Sequence, residues 1–149
     1  MMRIAVARST TERANLLAEP RCILIVEDQS DILRMMQFVL ERDGYDVRTA
    51  TTVREALDIL DTCEPNLLLL DLMLPEVSGW ELLAFRAADP RLLRIPTIVV
   101  SATHRFDPDE ALKYSVFATL RKPFEPADLQ ALARRGLQAF AAQQKDARE

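Results

Sequence analysis

The sequence predicts an α/β domain: a doubly wound, five-stranded parallel sheet in the order 2-1-3-4-5, with helices on both faces. Three observations predict it. Apolar runs such as "CILIV" and "NLLLL" have the composition of strands buried on both faces. Segments of helical periodicity separate such runs at regular intervals. Right-handed crossovers leave few ways to connect parallel strands in that alternation.

The first twenty residues show no clear periodicity and read as an N-terminal extension, partly helical or disordered. "CILIV" (22–26) is the first buried strand. "SDILRMMQFVLERDG" follows with Ile32, Met35, Met36, Val39 and Leu40 at helical spacing, and Gly44 caps its C-terminus. "YDVRTA" (45–50) is a more polar strand suited to a sheet edge. Thr52 and Glu55 form a capping box before a helix that buries Val53, Ala56, Leu57 and Leu60. "NLLLL" (66–70) is the third strand, and Ser78 to about Ala88 a helix in which Trp80 and Phe85 read as packing residues. "TIVVSA" (97–102), β-branched and apolar, is the fourth strand. "FDPDEALKYS" begins a helix, with Asp107 as cap and Pro108 at its first position. "FATL" (117–120) is the fifth strand. The final helix, from Glu125, turns Leu129, Leu132, Ala133, Leu137 and Phe140 inward and leaves Arg134 and Arg135 solvated. The domain is placed at 21–142, with 143–149 as a tail.

Bulk properties narrow the function. A chain of 149 residues suits one domain with a real core. A net charge of −4 supplies no basic field for phosphate backbones, so no nucleic-acid partner is expected. The apolar runs are too short to insert in a membrane, and no signal peptide is apparent, so the expected location is cytoplasmic. Cys22 and Cys63 have no metal-ligand spacing and read as half-buried thiols in a reducing cytosol, a disulfide or redox switch being the alternative. His104, the single histidine, reads as a polar loop residue near the mouth of the site.

In this winding, strands 1 and 3 are neighbours where the connection reverses, and sites open at the carboxyl ends of the strands. Strand 1 ends in Glu27 and Asp28, strand 3 in Asp71, strand 4 in Ser101, and strand 5 runs into Lys122 and Pro123. Three carboxylates crowding one crevice need positive charge between them. An all-oxygen acidic site suits Mg²⁺, with Mn²⁺ as a substitute. Mg²⁺ together with the Lys122 ammonium neutralises the three acids. A carboxylate is also a competent nucleophile toward phosphorus. Pro75 and Gly79 shape the loop after the strand, turning the chain sharply beyond Asp71.

These stretches, "ILIVEDQSDI", "LLLLDLMLPEVSGWELL", "IVVSA" and "LRKPF", resemble the receiver domain of two-component response regulators over about residues 21 to 142. The resemblance implies a flavodoxin-like fold with Asp71 as phosphoacceptor, supplied by a sensor histidine kinase or a phosphotransfer protein in a phosphorelay. It implies Mg²⁺ held by Glu27, Asp28, Asp71 and the backbone carbonyl of Met73, with Lys122 and Ser101 on the phosphoryl group. It implies slow hydrolysis of the aspartyl phosphate rather than turnover of a separate substrate. A protein target is expected on the face formed by the fourth helix, fifth strand and fifth helix, with a homodimer as a further option. A Lys122–Pro123 cis bond belongs to the same pattern, although trans is the default for the residues alone.

Two departures stand out. The family usually reads "GADDYLxKPF" where this chain reads "SVFATLRKPF". Ser115 replaces a glycine, and Thr119 stands at the position of the switch aromatic. Phe117, two residues earlier, is expected to share a strand face with Thr119. After the last helix only "KDARE" remains, so a stand-alone receiver is expected. The alternative function is a phosphorylation-independent adaptor or dimerisation module. An aspartyl phosphohydrolase is disfavoured because Met73 occupies the place where such enzymes carry a second acid.

Overall fold

The structure, a computed structural model, describes residues 21–102 and 108–148. Five parallel strands are β1 (Cys22–Val26), β2 (Asp46–Ala50), β3 (Leu67–Leu70), β4 (Thr97–Ser101) and β5 (Ala118–Arg121), in the order β2-β1-β3-β4-β5. The helices are α1 (Ser30–Arg42), α2 (Val53–Thr62), α3 (Gly79–Ala88), a short α4 (Pro90–Leu93), α5 (Pro108–Lys113) and α6 (Pro126–Arg148). The expected winding is the observed one, with the more polar β2 at an edge.

The leucine run is explained by the two-residue period of a strand. Leu68 and Leu70 join Leu24, Val26 and Val99 in one core, covered by Val53, Ala56 and Leu60 of α2 and Leu82 and Leu83 of α3. Leu67 and Leu69 join Ile23, Ile25, Ile98 and Val100 in the other, covered by Met36 and Leu40 of α1 and Leu129, Ala133 and Leu137 of α6. Both faces of β3 are therefore apolar, and no polar alternation survives.

Helix ends follow the expected chemistry. The Thr52 hydroxyl accepts from Glu55 N–H at 3.1 Å. Gly44, at φ +93°, takes the left-handed position just beyond α1. The sequence reading did not contain α4, although Asp89 caps it by accepting from Arg91 N–H at 2.9 Å and Pro90 opens it. The last helix runs on to Arg148, through residues read as a tail.

Two packing expectations need correction. Phe85 is 52% exposed, so it does not pack as a core residue. Phe117 does not share a face with Thr119. β5 starts only at Ala118, and the Phe117 ring packs with the cluster of Leu120 and Leu129, whereas Thr119 is exposed. The strand alternation that placed Phe117 does not extend back to it. Trp80 does pack, its ring 5.8 Å from that of Tyr114. Asp107, His104 and residues 1–20 lie outside the described residues. Among the described residues no helix is long and apolar enough to cross a membrane.

Candidate functional site

Register brings the expected residues to one edge of the sheet. Val26 of β1 lies level with Leu70 of β3, so Glu27 and Asp71 leave neighbouring strands side by side. Leu70 is level with Val99, and Ser101 with Arg121, so Ser101 and Lys122 rise at the same end. The Ser101 carbonyl accepts from Lys122 N–H at 3.1 Å, extending the β4–β5 pairing into the site.

Carboxylate oxygens of Glu27, Asp28 and Asp71 lie within 4.8 Å of one another. Glu27 and Asp71 are buried, 1% and 4% exposed, while Asp28 is open to solvent. Two deep acids and one shallow one thus form an all-oxygen donor set with an open side, which fits a hard divalent cation. Lys122 Nζ bridges the deep pair, donating to Glu27 Oε1 and to Asp71 Oδ2, the latter at 3.0 Å. The Lys122–Pro123 bond is cis.

The electrostatics follow from burial. Desolvation pushes the Glu27 carboxyl above its usual pKa; the Lys122 hydrogen bond opposes this and the Asp71 charge adds to it. Burial pulls the Lys122 ammonium down, but its hydrogen bonds to Glu27 and Asp71 outweigh that and raise it. The lysine is accordingly held charged between the two acids.

The loop after β3 is shaped around Asp71. Met73, 65% exposed, donates its N–H to Asp71 Oδ1 at 3.0 Å. Glu76 has φ +64°, and Val77 N–H bonds the Pro75 carbonyl at 2.7 Å, a strained three-residue turn. Gly79 then passes so close to β3 that a Cβ there would lie 2.3 Å from the Asp71 carbonyl oxygen. Glycine at 79 is therefore a steric requirement for this approach, while Glu76, and not a glycine, carries the left-handed turn.

Gln29 was not singled out in the sequence. Its N–H donates to Glu27 Oε2 at 3.2 Å, and its side-chain oxygen lies 3.4 Å from Lys122 Nζ. Its place as N-cap of α1, directly after the acid pair, was the available signal. Arg86 was also missed. It is 3% exposed and donates to the carbonyls of Leu93, Ile95, Tyr114 and Ser115. Ser115 sits at φ +54°, which accounts for the glycine usual at this position, and a serine there costs about 1 kcal/mol.

A doubly wound sheet with clustered acids and a half-buried lysine at its switch point defines a receiver-type signalling module. The family profile described as "Response regulator receiver domain" matches residues 23–134. The chain belongs to the response regulator receiver domain family of two-component systems, whose members are signalling modules rather than enzymes with a separate substrate. It is 36% identical over 110 residues to the alkaline phosphatase synthesis transcriptional regulatory protein PhoP of Bacillus subtilis, covering 73% of this chain and 45% of that protein. The chain thus spans about half the length of the curated relatives it matches. A CheY-like response regulator receiver domain protein from Methanospirillum hungatei is similar at a TM-score of 0.75 and 29% identity, covering 83% of this chain and 98% of that one. The receiver domain of the sensor histidine kinase PA1611 from Pseudomonas aeruginosa is similar at a TM-score of 0.72 and 25% identity, covering 80% of this chain and 98% of that one. That structure has a magnesium ion coordinated in its active-site cleft.

Proposed function

We propose that this domain, residues 21–142, receives a phosphoryl group on Asp71 from the phosphohistidine of a sensor histidine kinase or phosphotransfer protein in the cytoplasm. The observation that carries the reading is Asp71 itself: buried, grouped with Glu27 and Asp28, and already hydrogen-bonded to Lys122. A carboxylate oxygen of Asp71 attacks phosphorus, the bond from phosphorus to the imidazole nitrogen breaks, and the donor histidine recovers a proton. Lys122 follows the new negative charge, and Ser101 donates its hydroxyl to a phosphoryl oxygen. Positioning and charge neutralisation supply most of the catalysis in such a transfer. Glu27, Asp28, Asp71 and the Met73 carbonyl would hold Mg²⁺, or Mn²⁺ in its place, and the bound ion would supply charge neutralisation for the phosphoryl oxygens. Water later hydrolyses the acyl phosphate slowly. Incubation with Mg²⁺ and acetyl phosphate, followed by intact mass, should show one added phosphoryl group, and a chelator should prevent it. A chain that stays unmodified with Mg²⁺ present would contradict the reading.

Asp28 is the shallow ligand, so its removal should leave the fold intact while weakening the ion. Asp28→Ala should bind Mg²⁺ about ten- to a hundredfold more weakly, the loss of one charge-assisted contact. Titration followed by Trp80 fluorescence measures this, and an unchanged affinity would remove Asp28 from the site.

Output is assigned to the face of α5, β5 and α6, where a downstream protein or a second copy of the chain would dock. Thr119 lies on β5 with no ring to alternate between two positions. Phosphorylation therefore displaces less volume there and separates the two surface states by less free energy. On beryllofluoride addition, NMR shift changes in wild type should stay near the active site, and Thr119→Tyr should spread them across α5 and α6. Large changes over that face in wild type would show full switching without the aromatic. Thr119 also favours the second reading, an adaptor or dimerisation module that works without phosphorylation. Equal affinity for its partner with and without beryllofluoride would select that reading.

A further inference from the structure

The carboxyl ends of the strands hold the acidic site; the opposite end of the sheet holds a pair of thiols. Cys22 opens β1, and Cys63 is the first residue after α2. They are 41 positions apart in sequence, yet their sulfurs lie 3.7 Å apart in hydrogen-bond contact, and both are free and half-buried. Their backbones are fixed by other bonds. Cys22 N–H donates to Asn66 Oδ1 at 2.8 Å, its carbonyl accepts from Asn66 N–H at 2.8 Å, and Cys63 N–H donates to the Ile59 carbonyl at 2.8 Å. The thiols thus meet from rigid elements rather than from loose loops. A disulfide needs the sulfurs to close by roughly 1.7 Å, a distance side-chain rotation can supply.

We propose that Cys22 and Cys63 form a dithiol site that a low-molecular-weight disulfide oxidises to an intramolecular bond, fastening the end of α2 to the start of β1. Burial and the hydrogen bond to Cys63 push the Cys22 thiol up to about 12; in the proposed order Cys63, which follows α2 and lies outside any strand, takes the first step. The Cys63 thiolate attacks the small disulfide and releases one small thiolate. Cys22 then gives up its proton to that released thiolate and attacks the Cys63 sulfur of the mixed disulfide, expelling the second small thiolate. The protein loses two hydrogens in all, and one small disulfide becomes two small thiols. The closed bond joins residues 41 apart and restricts the unfolded chain, so the melting temperature should rise by about 10 °C.

The test is to treat the reduced chain with excess oxidised glutathione and read intact mass, maleimide labelling and melting temperature. The expected result is a monomer lighter by two hydrogens, with both sulfurs protected from maleimide, the higher melting temperature, and full reversal by dithiothreitol. Cys22→Ser should instead stop at a lasting glutathione adduct on Cys63. Adducts on both cysteines of wild type, covalent dimers, or two thiols still open to maleimide would each overturn the proposal. The wild-type readouts decide the matter even if the variant does not fold.

Discussion

Arg86→Met should destabilise the protein by about 3–5 kcal/mol, read as a lower urea midpoint with an unchanged slope. The side chain comes from α3, on the face that carries Leu82 and Leu83 into the core. Its guanidinium donates to Tyr114 O at 2.7 Å and Ser115 O at 3.1 Å, just after α5, and to Leu93 O at 3.1 Å. Its Nε and Nη2 also share the Ile95 carbonyl, at 3.1 and 2.9 Å. Burial lowers its pKa to about 10, yet it remains charged at neutral pH. Methionine has a similar reach and no donors, so the Leu93, Tyr114 and Ser115 carbonyls would lose the guanidinium, while the Ile95 carbonyl would keep the Thr97 hydroxyl at 3.2 Å. Lysine offers a point charge in place of a planar fork and should recover only part of the loss. A cost below about 1 kcal/mol for Arg86→Met would mean that water or local relaxation satisfies the carbonyls equally well. The effect should also reach the proposed output face, because Arg86 ties the end of α5 to the segment leading into β4.

Asp71→Asn should abolish phosphoryl uptake from acetyl phosphate while keeping the fold. Without Mg²⁺ the site holds three acids against one lysine, and burial makes their repulsion expensive. Asparagine relieves part of that repulsion and gives up one hydrogen-bonded ion pair with Lys122. The two effects oppose each other, so the melting temperature in Mg²⁺-free buffer should stay level or rise. Lost uptake with retained stability locates the defect in chemistry rather than folding. Residual uptake at the wild-type level would move the phosphoacceptor elsewhere.

Much of this architecture was legible because the signals were redundant. "CILIV" and "NLLLL" are apolar on both faces, and only a central strand of a covered sheet uses such a run. Glu27, Asp28, Asp71 and Lys122 were legible as a site because each ends or follows a strand, and parallel winding brings those ends together. What was missed depends on single contacts across the fold. Arg86 stood at helical spacing from Leu82 and Leu83, which marked an inward position, but nothing local named the four carbonyls it meets. The Asp89–Pro90 pair signalled a helix start, yet α4 is too short for any periodicity to show. Phe117 was misplaced because alternation was extended past the strand's first residue, into a turn set by Ser115 in the left-handed region. The sequence left a Cys22–Cys63 disulfide or redox switch open as the alternative, but the 3.7 Å approach itself depends on where α2 ends over β1.

The most direct measurement of the central claim is chemical trapping of the phosphorylated residue. After treatment with acetyl phosphate and Mg²⁺, borohydride reduces an acyl phosphate to an alcohol, converting an aspartyl phosphate to homoserine. Peptide mapping by mass spectrometry then locates it. Homoserine should appear at position 71 alone, and should be absent when Mg²⁺ is chelated. Homoserine at any other position, or a phosphoryl group on a residue that borohydride does not reduce, would contradict the assignment of Asp71.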